Sequence, residues 1–311
     1  MKFTKMHGCG NDYIYIDAAK EAVEHPAELA IRLSNRHFGI GSDGLILICP
    51  SEQADFRMRM YNADGSEAEM CGNGIRCVGK YVYDKGLTKK TSLSIETGAG
   101  IKQLMLHPGK DGLVQTVTVD MGTPLLDPAQ IPVCLSNQPV PPIRKETPDN
   151  GNTKQPPEAG SARQCPDSYL DRVVNQPIQV GGGEYRITCV SMGNPHAVVF
   201  LEDTDLTSFP IEQIGPKFEN HPCFPRRTNT EFVQLLSRKE IRMRVWERGS
   251  GETLACGTGT CASVMACILN EKTDDRVLVH LLGGDLEIFY DRESDHIQMT
   301  GPATTVFEGE L

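Results

Sequence analysis

Cys71 and Cys256 stand in closely repeated surroundings. Arg57-Met58-Arg59-Met60-Tyr61-Asn62 and Glu67 lead to Met70-Cys71-Gly72-Asn73-Gly74. Arg242-Met243-Arg244-Val245-Trp246-Glu247 and Glu252 lead to Ala255-Cys256-Gly257-Thr258-Gly259, and corresponding residues lie 185 positions apart. A duplicated segment with one thiol per copy suits a pseudo-twofold site that treats two faces of a substrate alike. Taking a proton from a carbon next to a carboxylate and returning one to the other face needs a base and an acid on opposite sides. In the reverse direction the two exchange roles. Sulfur suits the task because its pKa can be brought near working pH, where both protonation states are accessible.

Each cysteine is followed by Gly-x-Gly and lies between a strand-like and a helix-like stretch. Glycine permits a tight turn and close approach of amide N–H groups to a ligand. A helix N-terminus presents unpaired N–H donors and a partial positive charge, so it favours an anion, either a thiolate or a substrate carboxylate. A free thiol titrates at about 8.5, and such a position is expected to lower that. Charge developing on a reacting carboxylate would meet the amides of Gly72-Asn73 and Gly257-Thr258. Cys49, Cys77, Cys189, Cys261 and Cys267 read instead as small buried hydrophobes.

No metal or organic cofactor is implied. Cys71-x5-Cys77 and Cys256-x4-Cys261 miss the tight Cys-x2-Cys spacing of zinc sites, and no lysine-centred pyridoxal motif is present. Gly39-Ile40-Gly41-Ser42-Asp43-Gly44 matches a dinucleotide fingerprint in letters only, because an apolar strand follows it rather than a helix.

The elements that must carry these residues are strands and short helices. Strands are expected at Tyr13–Asp17, Leu45–Cys49, Phe56–Tyr61 and Leu113–Asp120, with helices over Pro26–Arg36 and Ile75–Asp84. Arg57 and Arg59 fall on the opposite strand face from Met58 and Met60. In the second half, strands are expected at Ile187–Val190, Ala197–Leu201, Phe232–Leu236 and Arg242–Trp246. A small-residue helix spans Thr260–Asn270, and Val277–Leu281, Leu286–Tyr290 and His296–Thr300 finish the chain in hairpins. Ser136–Pro177, with eight of the chain's 20 prolines, reads as a surface insertion. A single repeat at this distance means two fused copies of one domain. The expected division is 1–120 and 121–297, with 298–311 returning to the first half and the insertion at 136–177.

With 311 residues the chain can bury a sizeable core in two domains. Thirty-one basic against 41 acidic residues give a formal charge of −10, which argues against nucleic acid and anionic membranes as partners. The 11 cysteines lack a small-domain spacing, Met1–Asp17 lacks a secretory pattern, and apolar runs such as Leu45–Cys49 are too short to cross a bilayer. A reducing cytoplasm with free thiols is the expected setting.

His7-Gly8-Cys9-Gly10-Asn11-Asp12, Tyr61-Asn62-Ala63-Asp64-Gly65-Ser66, Cys71-Gly72-Asn73-Gly74, Gly193-Asn194-Pro195-His196, Arg227-Thr228-Asn229, Glu247-Arg248-Gly249 and Ala255-Cys256-Gly257-Thr258-Gly259 together resemble the diaminopimelate epimerase family. The resemblance runs nearly the whole chain in order, apart from 136–177. It implies an α/β chain of α+β type, with two pseudo-symmetric domains, each a curled, mostly antiparallel sheet around a central helix, often assembled as a homodimer. It implies cofactor-independent interconversion of LL- and meso-2,6-diaminoheptanedioate, a small diamino-dicarboxylate, in lysine and peptidoglycan-precursor supply. Cys71 and Cys256 would be the bases, and Gly72, Asn73, Gly257 and Thr258 would hold the reacting carboxylate. Asn11, Asn62, Asn194, Asn229, Glu247 and Arg248 would hold the amino groups and distal end, with His196 and Glu247 tuning the thiols. Arg248 suits a second carboxylate as a bidentate partner, and asparagine suits a zwitterionic head group.

Many family members carry glutamine where this chain has Gly44, so no side-chain contact is expected there. Two other readings share the paired thiols. A proline or hydroxyproline racemase-like enzyme would make Arg248, Asn62 and Asn229 superfluous. A redox-sensing or metal-binding thiol protein would need no substrate site at all.

Overall fold

The computed structural model describes residues 1–135, 171–202 and 204–311. The first half runs β1 (Lys2–Gly8), β2 (Asn11–Asp17), α1 (Pro26–Ser34), β3 (Gly44–Cys49), β4 (Phe56–Asn62), β5 (Glu67–Ala68), α2 (Gly72–Asp84), β6 (Ser92–Thr97), β7 (Gly100–Pro108) and β8 (Val114–Gly122). Then come β9 (Gln176–Val180), β10 (Gly183–Ser191), β11 (Pro195–Phe200), α3 (Ile211–Glu219), β12 (Asn229–Ser237), β13 (Glu240–Glu247), β14 (Gly251–Thr253), α4 (Gly257–Leu269), β15 (Arg276–Leu281), β16 (Gly284–Asp291), β17 (His296–Pro302) and β18 (Thr304–Glu310).

The duplication extends through all of this. α1 and α3 are both 9 residues long, α2 and α4 both 13, and each pair begins 185 positions apart. The pairings repeat as well. β1–β2 is antiparallel, β2–β3 parallel, β3–β4 antiparallel and β4–β6 parallel. β10–β11, β11–β12, β12–β13 and β13–β15 follow the same sequence of directions. The parallel steps are the ones bridged by a helix, because a parallel connection needs a crossover. Ion pairs on the strand face recur too: Arg59 binds Glu67 at 2.9 Å and Arg244 binds Glu252 at 2.6 Å.

β9 pairs with its sequence neighbour β10, whereas β18 crosses from the second half to pair with β1. β8 also pairs with β17, closing one 18-stranded sheet. The expected closing hairpins are present, with β15–β16 and β16–β17 antiparallel, and β18 then leaves this meander for β1. Of the stretch read as an insertion, 136–170 lies outside the described residues. Its end is not loop, since Val173 is buried in a core of the second half and Gln176 and Pro177 open β9.

α2 and α4 are the central helices. Ile75, Cys77, Val78 and Val82 of α2, and Cys261, Ala262, Val264, Met265, Ala266 and Cys267 of α4, belong to one apolar core shared by both halves. Both helices start earlier than their apolar spacing predicts, at Gly72 and Gly257, with the cysteine itself as N-cap. Glycine-rich first turns have low helix propensity and hide the true start.

Among the described residues nine cysteines are free, Cys71 and Cys256 included, whereas Cys134 is disulfide-bonded, against the expectation of free thiols. Burial pushes the Cys77 thiol up to about 11 and those of Cys261 and Cys267 up to about 12. The unfolded chain ionises these groups near their ordinary value, while the folded chain keeps the protons. Their stabilisation is thus complete below that value and fades as pH rises toward the folded pKa. Urea midpoints should hold steady up to about pH 8.5 and then fall, each buried thiol removing up to about 1.4 kcal/mol per pH unit in that window. A midpoint unchanged at about pH 10.5 contradicts this.

Candidate active site

The two cysteine turns meet head to head. A Cβ built on Gly72 would lie 3.9 Å from Gly257 Cα, and one on Gly257 would lie 3.7 Å from Gly72 Cα. Met299 fills the space beside both glycines, with its Cε 2.9 Å from the Gly72 Cβ position. The N-termini of α2 and α4 therefore point into one place, and their first-turn N–H groups have no carbonyl partner within the helix.

Each thiol caps its helix: Gly74 N–H donates to Cys71 Sγ and Gly259 N–H to Cys256 Sγ, both at 3.4 Å. Cys71 Sγ also donates to Asn11 Oδ1 at 3.1 Å, and Asn73 Nδ2 donates to that same oxygen at 3.4 Å. Asn11 Nδ2 donates to Asp43 Oδ2 at 2.7 Å, which fixes the amide's orientation. Asn73 also reaches across the halves to Ala255 O at 3.3 Å. On the other side, Asn194 Nδ2 donates to Thr258 Oγ1 at 3.3 Å, and Thr258 Oγ1 lies 3.5 Å from Cys256 Sγ. The Asn194–Thr258 bond mirrors Asn11–Asn73.

Below Cys256 lies a buried pair. His196 Nδ1 stands 2.7 Å from Glu231 Oε1 and its Nε2 3.0 Å from Asn194 Oδ1. Both His196 and Glu231 are 0% exposed. Glu247 is half-buried at the end of β13 and accepts from the Thr253 hydroxyl. Burial pushes its carboxyl up, against the pull of hydrogen bonds from Thr253 and Cys256.

The helix N-termini do not lower the thiols overall. Burial pushes Cys71 up, opposed by the N–H groups of Gly74 and Asn73 and by the Arg76 guanidinium. Burial pushes Cys256 further up, with the carboxylates of Glu247 and Glu231 adding to it. Desolvation of a closed site outweighs the amides here.

Asn229 is buried, and its amide is taken up by the protein: Nδ2 donates to Pro195 O at 2.9 Å and Oδ1 accepts from Arg248 N–H at 2.9 Å. It fixes the backbone that carries Arg248. Glu219 steadies the same turn, accepting from Gly249 N–H at 3.0 Å and from Trp246 Nε1 at 2.7 Å. The Arg248 side chain itself donates to Arg226 O, and Asn62 donates to Ser66 Oγ in its own turn. Hydrogen bonds link Asn11, Asn73, Asn194, Thr258 and His196 to the two thiol turns, whereas these side-chain bonds of Asn62 and Arg248 go to their own surroundings.

Sequence reasoning missed Glu231, Arg76 and Asp43. For the first two a signal was present: each is a charged residue opposite an uncharged one, Cys261 for Arg76 and Ile46 for Glu231, at the 185-residue offset.

Gly44 has no room for a side chain. A Cβ there would lie 2.1 Å from Tyr61 O, in the partner strand, and 2.9 Å from Tyr13 Cε1. Gly44→Ala should lower stability by about 1–3 kcal/mol, the usual cost of overpacking, read from a urea midpoint. An unchanged midpoint would show that β3 and β4 separate freely.

The family model described as Diaminopimelate epimerase matches residues 3–126 and 188–306. Proteins named "Diaminopimelate epimerase" from Agathobacter rectalis and Methanococcus maripaludis are 60% and 51% identical over 311 residues, covering 100% of this chain and 99% of each relative. Among solved structures, a phenazine biosynthesis protein of the PhzF family from Bacillus anthracis matches with TM-score 0.65 at 18% identity, over 100% of this chain and 98% of that one. A hydroxyproline epimerase from Agrobacterium vitis matches with TM-score 0.61 at 15% identity, over 100% and 90%. These two likenesses concern the fold alone.

Proposed function

The chain belongs to the diaminopimelate epimerase family, and from that premise we propose that Cys71 and Cys256 are the two bases of its reaction. It is an isomerase of lysine biosynthesis, interconverting LL- and meso-2,6-diaminoheptanedioate. One thiolate takes the α-proton, and the electron pair passes into the neighbouring carboxylate as an enolate. The opposite thiol then delivers its proton to the other face of the carbon. The first sulfur ends protonated and the second ends as thiolate, so the reverse reaction uses the same groups with roles exchanged.

The observation that carries this reading is the head-to-head meeting of two cysteine-capped helices at Gly72 and Gly257. Their first-turn amides can receive the enolate's charge, as an oxyanion hole does. Asn11 and Asn194 stand on either side as mirrored ligands, and Glu247 and Arg248 complete the asymmetric end that orients the substrate. We further infer supply of peptidoglycan precursors, a homodimer, a cytoplasmic setting, and no nucleic acid, membrane or cofactor partner. We place the two halves at 1–120 and 121–297, a division whose return segment 298–311 is supported by the pairing of β18 with β1. Among the described residues no helix is long and apolar enough to cross a membrane.

The test is direct. Reduced protein incubated with the LL isomer in deuterated water should yield the meso isomer carrying deuterium at the inverted carbon. Absence of both products from folded, reduced protein rejects the epimerase reading. A diamino-dicarboxylate preferred over proline in a substrate panel separates it from the racemase-like alternative.

A further inference from the structure

The duplication lets the two thiol sites be compared position by position, and they carry opposite buried charges. Under Cys71, a Cβ on Gly74 would meet Ile46 Cδ1 at 2.7 Å. Under Cys256, a Cβ on Gly259 would meet Glu231 Oε1 at 2.5 Å and Cys256 Sγ at 3.3 Å. Ile46 and Glu231 are the same position of the two copies. Glu231 is fully buried, only one of its oxygens is taken up by His196, and Oε2 has no hydrogen-bond partner among the described residues.

On the helices the asymmetry has the other sign. Arg76 of α2 is fully buried, and its counterpart in α4 is the buried thiol Cys261. Its Nη1 donates to Gly72 O at 3.1 Å, Nη2 to Asn73 Oδ1 at 2.9 Å and Nε to Pro302 O at 3.2 Å. Nη1 also reaches Met299 Sδ at 3.8 Å and Nη2 the Cys9 thiol at 3.7 Å, no carboxylate pairs with the guanidinium among the described residues, and two of the acceptors belong to the turn that follows Cys71. A cation with neutral partners stands beneath one thiol, and a carboxylate with a spare oxygen stands beneath the other.

We propose that Arg76 and Glu231 decide which thiol gives up its proton first: Cys71 is the readier base, and Cys256 holds its proton as the acid. The charges around each sulfur support this order. Cys71 faces Asn11 and Tyr13 from β2, Arg76 from its own helix and Glu247 from β13. Cys256 faces Glu247 from β13, Glu231 from β12, whose Oε1 lies 2.7 Å from His196 Nδ1 of β11, and the neutral Thr258 from its own helix. Charges a few ångströms from a buried sulfur act with little screening, so a cation favours the thiolate and an anion the thiol.

Arg76 and Glu231 are positioning residues in this scheme, since neither touches the substrate. One turnover leaves Cys71 protonated and Cys256 ionised, the disfavoured arrangement. The protein must then return the proton from Cys71 to Cys256 through solvent before accepting the same isomer again.

The proposal rests on the two-base reading, and its test uses no substrate, so the two stand or fall apart. The intact, reduced protein is alkylated with iodoacetamide across a pH series, and modification at each cysteine is quantified by mass spectrometry. The midpoint of the pH dependence, unlike the absolute rate, does not report mere accessibility. Cys71 should have the lower midpoint, by about one pH unit or more, a tenfold difference in proton affinity. Coincident or reversed midpoints in the unaltered protein overturn the proposal. Glu231→Gln keeps a hydrogen bond to His196 and removes the charge, and should lower the Cys256 midpoint while leaving that of Cys71. Arg76→Met should raise the Cys71 midpoint. A folded Glu231→Gln or Arg76→Met protein whose midpoints do not move assigns that residue a structural role only and rejects its part here. Should both variants fail to fold, the ordering in the unaltered protein still decides.

Discussion

Cys256→Ala should slow epimerisation by about 10³-fold or more, and Cys71→Ala by a similar factor, because each removes the group that must give or take a proton on one face. The site leaves little room for a substitute. Cys256 is 6% exposed, and the opposing helix turn closes the space beyond Gly72. Alanine also deletes an N-cap acceptor, at about 1 kcal/mol, so a folding control is needed. Serine supplies it: Cys256→Ser keeps a capping oxygen for Gly259 N–H, yet its hydroxyl is far too weak an acid to share a proton at neutral pH. The serine variant should be folded and nearly inactive. Initial rates from each isomer, with far-UV circular dichroism as control, check this, and full activity in either alanine variant sinks the two-base assignment.

His196→Ala should cost about 3–5 kcal/mol of folding stability, the range for a buried charged group that loses its partner. The loss comes from stranding the Glu231 carboxylate, whose Oε2 has no hydrogen-bond partner among the described residues, in a core that excludes water. Replacing both residues with leucine should recover much of the loss, since two apolar side chains of suitable volume do not need each other. Urea denaturation of the two singles and the double completes the cycle. A loss below about 1 kcal/mol, as for a surface pair, would mean that water reaches this site on unfolding-free motions of β11 and β12.

The strands legible in the sequence were those with clean apolar patterns. Leu45–Cys49 became β3 and Phe56–Tyr61 became most of β4, with Met58 and Met60 inward as their alternation requires. β1, β6 and β7 were not legible, because their patterns are short or interrupted by polar residues at the seam. α3 was hidden by Gly215 and Pro216, two poor helix residues in nine. Gly215 is there because a Cβ would meet the Trp246 ring at 2.4 Å, a reason that exists only in the folded chain.

The sequence by itself determined the duplication, the two Cys-Gly-x-Gly turns and the family's ligand motifs, since these are properties of residue order and local backbone. Only the tertiary structure decided that β18 pairs with β1 and β8 with β17, because strand partners well over a hundred residues apart leave no local trace. Only it decided that the thiols are raised rather than lowered, because desolvation depends on what the rest of the chain places around a sulfur. The same holds for Arg76 and Glu231. A charge in an apolar run reads as an exposed face until packing shows it buried, and burial is what lets one charge distinguish two otherwise matching cysteines.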